Sequence, residues 1–457
     1  MTDFLPRSVH FVGVGGSGLS ALARVALGLG LRASGSDRCR SSVVPPLEAL
    51  GLTFQLGHEP LLVRGTELVV ATSAVGEDNP EIAWARAHGI PVWKRHQFLP
   101  WLAQGKRLLA IAGTHGKTTT TALVAHLLTV TRQDPTCVVG GVLEGWGTNA
   151  RVGGGDLFVL EADEYDRTFL SLDPWLGVVT TVEEDHPDCY PTREAVEEAF
   201  GEFMRRCRQR LVNGDDPGVG RALARAGTGL SVTYGRGEPA AWRLLSLTQT
   251  EEGTEFRFRC PDGSELDSRV RLWGRHSAEN SLAALAAAST AGVPILEAAE
   301  ALGTFGGVKR RFTVSGPFAG IYLVDDYAHH PTAIGAVIEA ARQRFPGRRL
   351  VAVVQPHTFS RLESLFDGFV QSLRLADVSA VLPVYASRER GDSVAASRKL
   401  ADASGALALP SVTGAAGLLL GMLRPGDVVL NLGAGDGETV TRHLAEALAT
   451  DGVVHEA

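Results

Sequence analysis

The sequence predicts an α/β protein of three domains: an N-terminal Rossmann-like domain, a central P-loop ATPase-type domain and a C-terminal Rossmann-like α/β domain. Three observations predict it. Short β-branched runs alternate with helical patterns along most of the chain. Two glycine-rich loops, VGVGGSG ending at Gly18 and AGTHGKT ending at Thr118, each follow an apolar run and open a helical pattern. The texture of the sequence resets twice, giving domains at 1–104, 105–308 and 309–457. A chain of 457 residues, 44% hydrophobic and 21% charged, is too long for one core and has an ordinary globular composition.

The same composition excludes several classes. Net charge is −7 and no long basic run occurs, which argues against nucleic-acid or membrane-surface binding. Five scattered cysteines, with no CxxC spacing, fit a reducing compartment rather than a disulfide or zinc framework. No signal pattern or membrane-length apolar run is seen, so a cytoplasmic protein is expected, as a monomer or weak homodimer.

In the first domain the runs VHFVGV, LRASGSD, LTFQLG, ELVVATSAV and PVWKR read as strands of a small parallel sheet. The first leads into Gly13-x-Gly15-x-x-Gly18 and the second ends in Asp37. By rule this is a dinucleotide-binding unit, and taken alone it suggests an NAD-dependent dehydrogenase. The physics is less particular: a glycine loop at a helix N-terminus binds a pyrophosphate and does not specify nicotinamide. A dehydrogenase also leaves the second loop and two further domains unexplained.

The second loop is the sharper signal. After the run LLAIA come Gly113, Thr114, His115, Gly116, Lys117 and Thr118, opening the helical pattern TTTALVAHLL. Glycines let backbone N–H groups curl around phosphate oxygens, a lysine reaches the β- and γ-phosphates, and the following hydroxyl ligates Mg²⁺. The loop is shorter than the usual G-x-x-x-x-G-K-[ST], but its context is that of an ATP site. Two apolar runs then end in acids: Glu161, Asp163, Glu164 and Asp166 after DLFVL, and Glu183, Glu184, Asp185, His186 and Asp188 after GVVTTV. Ligands bind beyond the carboxyl ends of such strands, and Mg²⁺ favours carboxylates. Antiparallel strands are expected in SVTYGRG, WRLLSLTQT, GTEFRFRC and SRVRLWG, followed by the alanine-rich helix AENSLAALAAASTAG. The third domain shows strands in GIYLVDD, RLVAVVQPH, VSAVLPVY and DVVLNLGAGD.

These strings, with GTNAR, EADEYDRTFL, VVTTVEEDHPDCY, WGRHSAEN, GVKRRF, VDDYAHHPT and QPHTFSR, resemble the ATP-dependent Mur ligases of peptidoglycan synthesis over essentially the whole chain. The histidine in GTHGKT and the string DDYAHHPT point to the alanine-adding branch. The resemblance implies ATP and Mg²⁺, with two ions, as cofactors and UDP-N-acetylmuramate and L-alanine as partners. It implies an acyl phosphate on the lactyl carboxylate, which the amine of alanine then attacks. Residue by residue, it places Gly113, Thr114, Gly116, Lys117, Thr118 and Thr119 on the phosphates. Thr118 and Glu161 would hold the first Mg²⁺, and His186 a second. His115 would lie near the substrate carboxylate. Asn280 and His276 would bind adenine, with Arg310 and Asp325 reaching ATP from the third domain. Tyr327, His329, His330 and Arg361 would form the amino-acid pocket. The first glycine loop would cradle the UDP diphosphate through Gly13, Gly15, Gly16 and Ser17, with Asp37 near the uridine and Ser73 as another wall. A ligase adding a recycled tripeptide to the same sugar is the alternative within the family.

Three positions depart from the family pattern: Pro187 for a leucine, Ser277 for an asparagine and Thr358 for an arginine. In the family it resembles, several sibling ligases hold their second ion with a carbamylated lysine of the central domain, yet between Lys117 and Lys309 this chain has no lysine. Bicarbonate is therefore expected to leave the activity unchanged. Recovery of a CO₂-depleted preparation on adding bicarbonate would refute this.

Overall fold

A computed structural model describes residues 5–451. Its strands form three sheets. The first is wholly parallel, in the order Thr53–Leu56, Arg32–Asp37, Ser8–Val12, Leu68–Ala71, Val92–Lys94. Ser8–Val12 and Leu68–Ala71 are buried along their whole length, as strands covered by helices on both faces must be. Strand order reverses beside Ser8–Val12, so the first glycine loop lies at the switch point where such sheets bind ligands.

The central sheet has ten strands. Its phosphate-loop strand, Arg107–Ala112, lies between Leu157–Glu161 and Leu176–Val179, parallel to both. That placement brings the two acidic strand ends to either side of the phosphate loop. SVTYGRG departs from the expected antiparallel arrangement: its strand, Ser231–Gly235, runs parallel to Gln209–Asn213. The helix Pro217–Ala226 joins them and carries the chain back across the sheet, which makes the return parallel. Only Trp242–Thr250, Gly253–Arg259 and Glu265–Val270 form an antiparallel meander. The hairpin of Thr136–Leu143 and Thr148–Arg151 is not foreshadowed by the sequence patterns. It packs against the helix Ser17–Gly28, where Asn149 Nδ2 donates to Ser17 O at 3.2 Å and joins the first two domains.

The third sheet has a parallel centre of Ile321–Asp326, Val428–Leu432, Leu350–Val354 and Val378–Val381. Thr313–Phe318 adds antiparallel at one edge and the short Leu407–Ala408 parallel at the other. In the central domain the helix Arg275–Thr290 is buried almost all round, and its run of alanines lets it lie against the phosphate-loop helix Lys117–Val130. No helix among the described residues is long and apolar enough to cross a membrane.

Candidate active site

All three domains line one cavity of about 970 Å³, with Ser17, Lys117, His186, Asn280, Arg310 and His330 among its walls. The phosphate loop forms its floor. Gly116 caps the helix at φ +80, and a Cβ there would lie 2.6 Å from Asn280 Oδ1. Only glycine fits that approach, which sets Asn280 directly against the loop. Lys117 Nζ turns back on its own loop, donating to the carbonyls of Gly113 and Thr114, and reaches Glu164 Oε1 at 2.7 Å. Burial alone would lower the pKa of the ammonium, but Glu164, Asp163 and Glu161 hold it above the ordinary value. Burial pushes the Glu164 carboxyl up to about 7 despite Lys117, and its Oε2 is buried without a partner.

Thr118 Oγ1 donates to Glu161 Oε1 at 2.9 Å, and Glu161 Oε2 accepts from Gly140 N at 2.6 Å. Arg311 of the third domain also reaches Thr118 Oγ1, at 3.1 Å. Thr114 and Thr119 line the cavity. Beyond the other strand end, His186 sits at φ +52. Its carbonyl accepts from Cys189 N and Tyr190 N at 2.8 and 2.9 Å, and Asp185 Oδ1 accepts its N–H at 2.7 Å. The loop thus stabilises a left-handed conformation that is costly for a residue with a side chain. Burial lowers the His186 pKa.

From the third domain, Arg361 is 2% exposed and donates from Nε to Asp185 Oδ1 at 2.7 Å. Its Nη atoms lie 3.1 Å from His357 Nδ1 and 3.4 Å from His186 Nδ1. Against the cost of burial, the Arg361 charge holds the Asp185 carboxyl well below the usual range. His330 caps the helix Pro331–Arg344, its Nδ1 accepting Thr332 N at 3.2 Å, while Nε2 donates to Glu184 O at 3.2 Å. Burial and the neighbouring His115 depress it to about 4, so it is neutral. His329 Nδ1 contacts Tyr327 O at 2.8 Å, and burial lowers its pKa well below the ordinary value. The Arg310 and Arg311 guanidiniums both lie over the Tyr327 ring.

His276 lines the cavity near Asn280, and burial takes it to about 4. Ser277 donates to Trp273 O at 2.7 Å, the carbonyl just before the N-cap of its helix, so its hydroxyl is engaged by the backbone. Thr358, at φ +66, accepts Arg361 N at 3.4 Å and caps the short helix that carries Arg361. Arg310 is tied to Gly433 O, to Glu438 and to Asp325. It is Arg310 and Asp326, rather than Asp325, that line the cavity; Asp325 accepts from Asn431 behind it.

In the first domain the glycine loop is internally bonded. Gly13 N donates to Ser36 O, and Gly15 N to Asp37 Oδ2 at 2.9 Å. Asp37 therefore turns its carboxylate onto the loop itself, and a Cβ on Gly15 would lie 2.8 Å from that oxygen. Gly16 caps the helix, and Ser17 with Gly18 presents its N-terminus to the cavity. Ser73 donates to Asp166 Oδ2 at 2.9 Å, a second link to the central domain. Residues that sequence reasoning did not single out include Arg95, paired with Asp163 at 3.2 Å, and Asp326. The adjacency of Lys-Arg to a helical start gives no sign that Arg95 crosses to another domain.

A phosphate loop between two acidic strand ends, roofed by a third α/β domain, defines an ATP-dependent ligase architecture. Residues 8–107 match the Mur ligase family catalytic domain, 111–288 the Mur ligase middle domain and 310–435 the Mur ligase glutamate ligase domain. The chain belongs to the Mur ligase family. Similar relatives include the UDP-N-acetylmuramate–L-alanine ligase of Roseiflexus sp. (strain RS-1), 42% identical over 96% of this chain and 98% of that one. The ligase of the same description from Bradyrhizobium sp. (strain ORS 278) is 40% identical over 94% and 96%. Among solved structures, the UDP-N-acetylmuramate–alanine ligase MurC of Thermotoga maritima superposes with a TM-score of 0.82 at 27% identity, covering 97% of this chain and 99% of that one. A murein peptide ligase from Psychrobacter arcticus 273-4 shares the fold, with a TM-score of 0.74 at 24% identity over 97% and 98%.

Proposed function

We propose that this enzyme joins L-alanine to the lactyl carboxylate of UDP-N-acetylmuramic acid at the expense of ATP, in the cytoplasmic synthesis of peptidoglycan precursors. The observation that carries this is the single cavity in which a diphosphate-type helix N-terminus, a phosphate loop and a histidine- and arginine-rich face meet, one from each domain. The full-length likeness to alanine-adding ligases supports it.

The N-terminus of Ser17–Gly28 receives the UDP diphosphate, and the phosphate loop receives the ATP triphosphate. Asn280 and His276 take the adenine, and Arg310, held by Asp325 and Glu438, reaches the nucleotide from the third domain. Lys117 lies among the acids until the triphosphate arrives, then exchanges Glu164 for the phosphate oxygens. Phosphoryl transfer needs positioning and charge neutralisation more than covalent help, and these residues supply both. The Thr118 hydroxyl and Glu161 carboxylate, in contact with each other, are the hard oxygen donors that Mg²⁺ prefers. They would hold one ion and His186 a second; bound Mg²⁺ neutralises charge on the transferred phosphoryl group. Tyr327, His329, His330 and Arg361 form the amino-acid pocket.

Phosphate release should require UDP-N-acetylmuramate and L-alanine together. Release with either one alone, or with a tripeptide in preference to L-alanine, would overturn this reading.

A further inference from the structure

Before it can attack the acyl phosphate, the amine of L-alanine must lose a proton, and the groups named so far leave that proton without a destination. Four side chains meet where the amino-acid pocket touches the phosphate loop. His115 Nε2 lies 3.0 Å from Glu183 Oε2, the His115 and His330 rings are 4.7 Å apart, and Thr332 Oγ1 donates to the same Glu183 oxygen at 2.9 Å.

The hydrogen bonds separate the two histidines. His330 is occupied at both ring nitrogens, one by a backbone N–H and the other by a backbone carbonyl. His115 uses only Nε2, and its Nδ1 takes no hydrogen bond among the described residues. Although burial alone would raise it, the hydrogen bonds from His115 and from the Thr332 hydroxyl lower the pKa of the Glu183 carboxyl. Glu183 is therefore an ionised acceptor. In the neutral imidazole of His115 that hydrogen bond places the proton on Nε2 and leaves the lone pair on Nδ1, on a residue that lines the cavity. A histidine whose tautomer is fixed by a carboxylate is the usual arrangement of a general base.

We propose that His115 is the proton acceptor for the alanine ammonium, with Glu183 as its positioning residue. The inference rests on the amide-forming activity proposed above. One N–H bond of the ammonium breaks as Nδ1 takes the proton, and the freed nitrogen lone pair forms the C–N bond. The bond from carbon to the phosphate oxygen breaks, its electron pair leaving with phosphate. The second amine proton departs with that phosphate. The charged and titratable groups facing His115 are Glu183 from the strand-end loop, His330 from the third domain and Lys117 from its own loop. Lys117 is held by Glu164 on the far side. The Thr332 hydroxyl that completes the contacts of Glu183 comes from the third domain.

Hydroxylamine separates the two half-reactions, because its nitrogen is unprotonated at neutral pH and traps the acyl phosphate as a hydroxamate. In Glu183→Gln, ligation of L-alanine should fall about 100-fold, and in His115→Asn at least as far. UDP-sugar- and ATP-dependent hydroxamate formation should fall no more than about threefold in Glu183→Gln. The residual ligation rate should rise about tenfold per pH unit as solution base replaces the side chain. Parallel loss of both half-reactions, or unimpaired ligation with a wild-type pH profile, would overturn the assignment. Absence of hydroxamate from the wild-type enzyme would instead remove the acyl-phosphate reading on which it rests.

Discussion

Replacing Lys117 by methionine should lower kcat for ligation by about 1000-fold or more, because one preorganised cation opposite developing phosphoryl charge is worth several kcal/mol. The substitution also leaves Glu164 buried without its counter-ion. Breaking a buried pair by removing one partner typically costs about 3–5 kcal/mol. Part of that cost is avoidable, since Glu164 can take up a proton. Its folded pKa of about 7 already lies above the ordinary 4.5, raised by burial. The folded state therefore binds this proton more tightly than the unfolded state. The stability it contributes is full below about 4.5 and is lost as pH rises through about 7. Without Lys117 the loss should extend to higher pH, so Lys117→Met should be clearly less stable at pH 8 than at pH 6. Lys117→Met with Glu164→Gln should recover stability at pH 8 and remain inactive. Thermal unfolding at the two pH values, beside kcat, checks both halves. A double variant as unstable as the single one would show that the pair is not the source of the cost.

Arg361→Ala should raise the KM for L-alanine about 100-fold or more while changing the KM for UDP-N-acetylmuramate little. Truncating one partner of a buried, hydrogen-bonded charge pair costs about 2–5 kcal/mol. Here the partner left behind is Asp185, itself nearly buried and next to His186 in sequence. Arg361→Lys keeps the charge but loses the planar set of contacts to Asp185, His186 and His357, so it should fall between the two. Asp185 is depressed in the folded enzyme, so its contribution to stability is present at neutral pH and is lost as pH falls through the folded pKa. In Arg361→Ala that loss should begin at a higher pH than in wild type. Equal KM values for L-alanine in wild type and Arg361→Ala would remove the arginine from the amino-acid pocket.

The features legible in the sequence are those written in local spacing. The five strands of the first domain, the short phosphate loop and the two acidic strand ends follow from apolar runs bounded by glycines and acids. What the sequence does not display is pairing at long range. Asp37 has the spacing of a ribose-binding acid, yet its carboxylate holds Gly15 in the loop, because glycine lets the two approach closely. Glu164 reads as one acid among four, and only the fold makes it the partner of Lys117, across 47 positions. Arg361 meets Asp185 across 176 positions, which no periodicity anticipates. The parallel course of Ser231–Gly235 is hidden for a different reason: alternation shows a strand but not its direction, which the preceding crossover helix decides. His330 is the intermediate case. Its place before Pro331 marks a helix start, but its bond to the Glu184 carbonyl of another domain does not show in the motif.

The central claim is that the lactyl carboxylate is phosphorylated before the amide forms. The most direct test supplies UDP-N-acetylmuramate labelled with oxygen-18 in both lactyl carboxylate oxygens, together with ATP and L-alanine. The account predicts that the released phosphate carries one labelled oxygen and the amide carbonyl retains the other. Unlabelled phosphate, with one labelled oxygen released into water and the other kept in the amide carbonyl, would contradict it.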